Sequence, residues 1–572
     1  MISLKQRTAE TLSSIAEQAF SGASISSEEI YGMFEYPPDD AMGDLALPCF
    51  RLSKTLHRAP VQIADALAAG LADNPLFQKV EAVKGYLNFY FDGAALAAKV
   101  TAEVTERGET YGSPLNGSGK TAVFDYSSPN VAKPFHIGHL GTTVIGHSLK
   151  LLHQFAGWNC VGINYLGDWG TQFGKLIVAY KKWGNKQEIE EGGIDRLVAL
   201  YVRINNAIAE EEGTALADES RAEFHKLEMG DAENLALWKW FVEISLAEYE
   251  KTYRQLGITF DSYLGESFYT DKMPAQVQKL RDMGLLKIDD GASIVDLEEW
   301  GMPPCLILKR DGSTLYPTRD IAAAVYRKET YNFDRMVYVT SAQQSLHFRQ
   351  WFKVVELMGY PWFHQLVHVP YGTVSLNGEK LATRTGNVVL LRDLFALAIE
   401  KVKEIMVEKN PALAGRDDIA EQVGVGAIVF HYLSNNRMRD INFVLEDALS
   451  FDGNTGPYVQ YTYARTCSVL RKYAGEAKWK SHDATPEEAA LAKTIALFPE
   501  RVNAALEEYE PSIVTRYLLD LASAFNRFYH ECPILSCEDA ERRESRVALT
   551  AAASRVLKTG LHLICMASPE QI

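Results

Sequence analysis

Two imidazoles one helical turn apart form the densest concentration of potential chemistry in the chain. They lie in DYSSPNVAKPFHIGHLG, residues 125–141. His136 and His139 stand at i and i+3, so on a helix they share a face. Gly138 between them lets a ligand approach the backbone closely, and Lys133 adds a mobile positive charge. A helix starting near His136 would offer free N–H groups and a positive end, which suit phosphate. Two histidines at this spacing also fit a metal pair or an ordinary surface, although no HExxH frame is present. A second cluster, GEKLATRTGN (378–387), carries Lys380 and Arg384 between glycines. Such a loop can fold over a triphosphate and neutralise charge developing on it; alone it also reads as a solvated hairpin. In a third, LYPTRDIAAAVYR (315–327), Tyr316 and Asp320 share a helix face. An ion pair with Arg319 or Arg327 is the plain alternative for Asp320. Gln344 and His347 lie in TSAQQSLHF, straight after a predicted strand, where open α/β sheets hold ligands. The glycine-rich loop GDWGTQFGK (167–175) also follows a strand.

The elements that must position these residues follow a βαβ rhythm. TAVFDY (121–126), NCVGINYLG, DRMVYVT (334–340) and QLVHVPYG (365–372) read as strands. HLGTTVIGHSLKLLHQF reads as a helix stopped by Gly157. Alternating strands and helices mean a parallel, doubly wound sheet. Two insertions interrupt it, a helical one at about 180–255 and a mixed one at about 267–313. Before it, residues 1–118 combine helical stretches with the strand GYLNFYFD, and YGSPLNGSGK (111–120) reads as a linker. After it, residues 421–572 show almost only helical periodicity. The expected fold is therefore α/β: a Rossmann-like doubly wound catalytic domain at 119–420, an α+β N-terminal domain and an all-α C-terminal bundle.

Composition narrows the class. At about 100–200 residues per domain, 572 residues make about three or four domains. With 47% apolar and 23% charged residues the chain is ordinary globular protein. No apolar run approaches the roughly 20 residues of a membrane span. The N-terminal stretch holds Lys5, Arg7 and Glu10 where a signal peptide needs an apolar core, so a cytoplasmic protein is expected. Seven scattered cysteines without a CxxC pair suggest free thiols and no structural metal. The net charge of −16 argues against a broad basic face, and the last 150 residues or so are as acidic as the rest.

HIGH at 136–139 and KLATR at 380–384 resemble the two signatures of class I aminoacyl-tRNA synthetases. SSPNVAKPFHIGHL, NYLGDWGTQFGKL, LYPTRDIA, SAQQSLHF and NTGPYVQYTYAR, in this order, resemble the arginyl-tRNA synthetases in particular, from about residue 43 to the C-terminus. The resemblance implies a two-step reaction. L-arginine attacks the α-phosphate of ATP, supplied with Mg2+, and arginine then passes to the terminal adenosine of tRNA(Arg). It also implies that tRNA is needed before the first step. His136, Gly138 and His139 would hold ATP, with Lys380 as the first lysine of the KMSKS loop. The second lysine of that loop is Thr383 here, and relatives lacking it carry a lysine before HIGH, which is Lys133. Arg384 and His347 match positions near phosphate or adenine.

For the amino acid, Asp320 matches the guanidinium acceptor. A carboxylate can meet a guanidinium fork with two parallel hydrogen bonds, which lysine cannot form. Asp125, Tyr316 and Gln344 match further positions, and Ser128 and Asn130 the amino or carboxylate end. The first domain resembles the module that contacts the tRNA elbow through Tyr86 and Asn88. The bundle resembles an anticodon-binding domain, with Tyr458, Tyr461, Phe525 and Tyr529 at aromatic positions suited to stacking. The chain ends SPEQI, where the family commonly ends with methionine. A monomer is expected. The competing readings are a synthetase-like RNA-binding protein without catalysis and a small-molecule nucleotidylyltransferase. The intact set of histidines, lysines and Asp320 opposes the first; the two flanking domains oppose the second.

Overall fold

A computed structural model describes residues 4–20, 24–211, 213–376, 379–380, 389–409, 415–451, 453–480 and 482–572. At its centre lies a four-stranded parallel sheet. In spatial order its strands are Leu366–Tyr371, Arg335–Ser341, Thr121–Asp125 and Asn159–Ile163. The order runs outward in both directions from the central pair, so the switch point falls between Thr121–Asp125 and Arg335–Ser341. In such a sheet a ligand crevice is expected beyond the carboxyl ends of these two strands. Central strands such as AVF at 122–124 and MVYV at 336–339 are buried throughout, as a sheet covered on both faces requires.

The helix Leu140–Phe155 lies against this sheet and is buried along almost its whole length. Its small residues explain how. A Cβ at Gly146 would run into the Tyr126 ring, and one at Gly141 into the Tyr432 hydroxyl. The other side of this helix meets the C-terminal region: Ser148 Oγ donates to the Leu563 carbonyl at 2.7 Å, and Cys565 Sγ to that of Val144 at 3.6 Å. One continuous apolar core therefore joins the catalytic sheet to the C-terminal helices.

The first insertion is the helical layer Thr171–Trp183, Lys186–Glu210, Ala215–Glu228 and Ala232–Gln255. The second is a helix, Met273–Asp282, and a three-stranded antiparallel sheet with a tight turn at Asp290-Gly291. Both turn residues have positive φ, 46° and 80°, the type I′ signature.

The N-terminal unit has its own core around Leu12, Ile63, Leu67, Leu87 and Phe89. Its sheet is antiparallel, with Tyr86–Phe91 between Leu45–Pro48 and Phe77–Val83. Three features depart from the sequence reading. The helix Gly93–Arg107, placed with the first unit, buries Leu96, Val100 and Val104 in the main core instead. The expected linker is anchored, because Tyr111 is 1% exposed and donates to the Ile495 carbonyl at 3.2 Å. The expected all-helical tail includes a strand, Ile441–Phe443, paired in parallel with Val374–Leu376. All three are long-range packing events that local periodicity does not encode.

Candidate active site

Asp125 closes the first strand of the sheet, and the chain then turns through a strained loop. Ser127, Ser128 and Ala132 all have positive φ, 72°, 48° and 57°, a costly conformation for residues with a Cβ. The loop is over-determined by its surroundings. Tyr249, on the long insertion helix, donates its hydroxyl between the carbonyls of Asn130 and Lys133, 2.7 Å from each. One turn on, Tyr253 meets Ser127 Oγ at 2.7 Å and receives Asn164 Nδ2 at 3.0 Å. Gly167 is required here: a Cβ would strike the Asn130 side chain.

The loop delivers the histidines. The α-helix begins at Leu140 rather than near His136, after a short 3-10 turn, Ile137–His139. His136 Nδ1 accepts the Gly138 N–H at 3.0 Å, and His139 Nδ1 accepts the His136 N–H at 3.2 Å. The ring centroids are 3.9 Å apart. Burial, with the nearby Lys133 charge, lowers His136 to about 4. Burial, then His136, and also Lys133, lower His139 to about 3. Each ring is thus neutral near pH 7, with Nδ1 accepting and Nε2–H left as its donor. The Lys133 side chain has no hydrogen-bond or ion-pair partner among the described residues, yet its charge reaches both rings.

The KLATR segment is described in part. Lys380 ends a short strand, Glu379–Lys380, paired with Ser375–Leu376; Arg384 lies outside the described residues. Further along the chain, Leu390 bridges His136, and Ile137 N donates to the Val389 carbonyl at 3.2 Å.

Beyond the strand ends, four carboxylates crowd together, and one of them, Asp168, accepts from the N–H and hydroxyl of Ser267 at 2.8 and 2.6 Å. Asp125 is 5% exposed. Its Oδ2 accepts Arg327 Nη1 at 2.7 Å and its Oδ1 accepts Ser128 Oγ at 3.0 Å. Burial raises the Asp125 carboxyl, while Arg327 and Ser128 oppose the rise. Arg327 is 1% exposed and lies over Tyr165, with Tyr338 and Tyr269 further off. Glu266 pairs with Arg319 at 2.8 Å; burial pushes it to about 7 against the pull of Arg319, with Asp320 and Asp168 adding to the rise. Asp320, within electrostatic reach of both acids, pairs with neither arginine. Its Oδ2 lies 2.6 Å from His347 Nε2.

The sequence-predicted residues therefore divide. Asp125, Ser128, Asp320 and His347 converge at the switch point. Gln344 and Tyr316 flank it, both exposed, and Asn130 lines the approach. Asp125 is a correction: it is occupied by an internal guanidinium and is no open acceptor for substrate. His347, expected near phosphate or adenine, meets Asp320 through its Nε2. Sequence reasoning missed Arg327, Glu266, Tyr249 and Tyr253. Only the Tyr249/Tyr253 pair left a signal, two tyrosines at i,i+4 on one helix face.

At the distal surfaces, Tyr86 is 39% exposed and packs edge-on against Phe50, with Asn88 on the same strand face. Tyr461 and Tyr529 flank Arg465, whose guanidinium lies 4.9 and 5.0 Å from their ring centres. These three border a cavity of about 690 Å³ that Arg471, Lys472 and Ile572 also line. Tyr458 is half-buried and accepts Asn526 Nδ2 at 3.1 Å. Phe525 is fully buried against Phe528. It is core, not a stacking surface, because it faces into the bundle.

The family model described as "tRNA synthetases class I (R), catalytic domain" matches residues 102–445, more than half of the chain. The chain belongs to the arginyl-tRNA synthetases. Its other matches are the arginyl tRNA synthetase N-terminal domain at 4–91 and the DALR anticodon binding domain at 459–572. An arginine–tRNA ligase of Alkaliphilus metalliredigens is 49% identical over 100% of both chains, and one of Clostridioides difficile 50% identical over 96% of this chain and 97% of its own. The Thermus thermophilus arginyl-tRNA synthetase structure superposes with a TM-score of 0.83, 25% identity and full coverage of both chains. The synthetase activates arginine with ATP and transfers it to tRNA in translation. No helix among the described residues is long and apolar enough to cross a membrane.

Two outcomes follow from the geometry. Arg327→Met leaves Asp125 buried without its cation and is expected to cost about 3–5 kcal/mol of stability, measurable by urea unfolding. The histidines give a pH signature. Their folded pKa values lie below the ordinary value near 6.5, so the unfolded chain binds more protons as pH falls. Their contribution to stability is complete above about 6.5 and is lost as pH falls to about 4 for His136 and about 3 for His139. Replacing both by Gln flattens the stability–pH profile across that window.

Proposed function

We propose that Asp320 receives the arginine guanidinium. One observation carries this reading: of four crowded carboxylates, Asp125 and Glu266 each have an internal guanidinium partner and Asp168 is held by Ser267, while Asp320 has only an imidazole. A substrate guanidinium is the cation the cluster lacks. The pocket then selects arginine over lysine because a planar fork can satisfy a carboxylate and its neighbours together. Tyr316 and Gln344 border the side chain, and Ser128 and Asn130 meet the α-amino and carboxylate end. The strained loop fixes that end relative to the histidines.

His136, Gly138 and His139 take the ATP phosphates, with Lys133, Lys380 and Arg384 around the triphosphate and Mg2+ entering with the nucleotide. Catalysis is positioning and charge stabilisation. A carboxylate oxygen of arginine attacks the α-phosphorus as pyrophosphate leaves, and the arginyl group then passes to the 2′-hydroxyl of the terminal adenosine. Thr383 occupies the position of the usual second loop lysine. Lys133 supplies that charge, a reading supported by its effect on both histidines and its freedom from other partners among the described residues. The N-terminal unit (1–118) meets the tRNA elbow through Tyr86 and Asn88. The C-terminal helices (421–572) meet the anticodon through Tyr461, Tyr529 and the edge of Tyr458. The catalytic unit at 119–420 joins them, in a cytoplasmic monomer that requires tRNA before the first step.

Asp320→Asn should abolish arginine-dependent pyrophosphate exchange in the presence of bulk tRNA, with an unchanged unfolding midpoint; an unaltered arginine KM would refute the pocket assignment. Lys133→Ala should slow exchange on the order of 10²–10³-fold, the scale of one preorganised charge donor. Wild-type rates in that variant would return the role to the KLATR loop.

A further inference from the structure

Building on the assignment of Asp320 to the substrate guanidinium, we infer that His347 is a positioning residue of the arginine pocket. It holds Asp320 through Nε2 and presents the rest of the carboxylate to the incoming side chain. The two residues open neighbouring helices, Tyr316–Tyr331 and Ser345–Leu357, and meet at 2.6 Å. Both remain partly open, with side chains 21% and 28% exposed, as a pair facing a substrate site must be.

The root of each is immobile. Ile321, next to Asp320, is fully buried. Phe348, next to His347, is 5% exposed and stacks on His368 at 4.2 Å and 6°. His368 in turn meets Thr340 Oγ1 at 2.9 Å across the last two strands of the sheet. The imidazole is therefore held in place from behind, and through it the plane of the carboxylate.

The choice of donor matters. A carboxylate has about four acceptor positions, of which one N–H uses one. An imidazole, unlike a guanidinium or an ammonium, can donate a hydrogen bond without carrying a charge, so it can hold a carboxylate and leave the carboxylate's charge to an incoming cation. Arginine or lysine at position 347 would cancel it, as Arg327 and Arg319 do for Asp125 and Glu266. Asp125 and Glu266 thus meet guanidinium groups of the chain itself, and Asp320 an imidazole.

The test measures KM for arginine and for ATP separately, in aminoacylation by the full-length enzyme. His347→Ala should raise the arginine KM about ten-fold, the size of one hydrogen bond to a charged group, and change the ATP KM less than about two-fold. His347→Gln, a neutral donor, should restore arginine KM to within about three-fold of wild type. His347→Lys, a charged donor, should weaken arginine at least about a hundred-fold with ATP unaffected. A scaffold role alone would not separate Gln from Lys in this way. If the alanine variant raises the ATP KM while that for arginine stays put, or if Lys performs as well as Gln, the inference is overturned. Asp320→Asn serves as the reference. If it keeps the wild-type arginine KM, the pocket assignment itself fails; if it loses arginine while every His347 variant behaves as wild type, only the role of His347 fails.

Discussion

Beneath the crevice at the sheet's switch point, Arg327 and Asp125 form an ion pair with almost no access to water, and much of the local geometry is built on it. Asp125 ends the first strand of the sheet, Arg327 comes from a helix some 200 residues later, and their contact at 2.7 Å joins the two sides of the crevice. From Asp125 the constraint passes to Ser128 through its hydroxyl, and from Ser128 to the backbone of Tyr165 on the neighbouring strand's loop. A buried pair is weak evidence for net stability, but removing one partner leaves an uncompensated charge. The pair therefore restricts where the strained loop can sit.

The loop fixes the histidines, and the histidines fix little else. They cap their own turn through Nδ1 and keep Nε2–H in reserve, which suits a site whose ligand brings the negative charge. The insertion helix contributes no chemistry of its own here, yet Tyr249 and Tyr253 pin the loop at three points and tie it to Asn164 beyond the neighbouring strand. The helix that follows the histidines is wedged between the sheet and the C-terminal region, so the histidine turn and the tail of the chain share one core. The N-terminal unit joins the same tail from another side: Tyr36 donates to Glu500 at 2.8 Å, and Lys493 pairs with Asp44. The outer units are thus connected to the catalytic sheet by packing and not only by chain.

Legibility differed by element and for physical reasons. The parallel strands were visible because a sheet covered on both faces needs unbroken apolar runs, as in AVF and MVYV. Three of the four strands end within a residue of their expected place, and the fourth, NCVGINYLG, stops at Ile163, four residues early. The short strand Ile441–Phe443 was not visible, since three residues carry no period and pairing with Val374–Leu376 decides their conformation. The anchored Tyr111 segment departs from the linker reading for a similar reason: its glycines and proline signal turns, and only the packing of Tyr111 shows that its first residues are buried.

Fold class, family and most of the residues that gather at the crevice were already legible in the chain, because these rest on local periodicity and on contiguous motif strings. How those residues divide the work became visible only on folding. Asp125, Glu266 and Asp320 are all carboxylates with arginines close by in sequence or space. Only the folded arrangement shows that two are neutralised from within and one is not. Phe525 and Tyr529 lie one turn apart on the same helix, and only the direction of the bundle's core separates a filler from a surface. Charge pairing and burial are properties of what surrounds a side chain, and that is assembled from segments hundreds of residues apart.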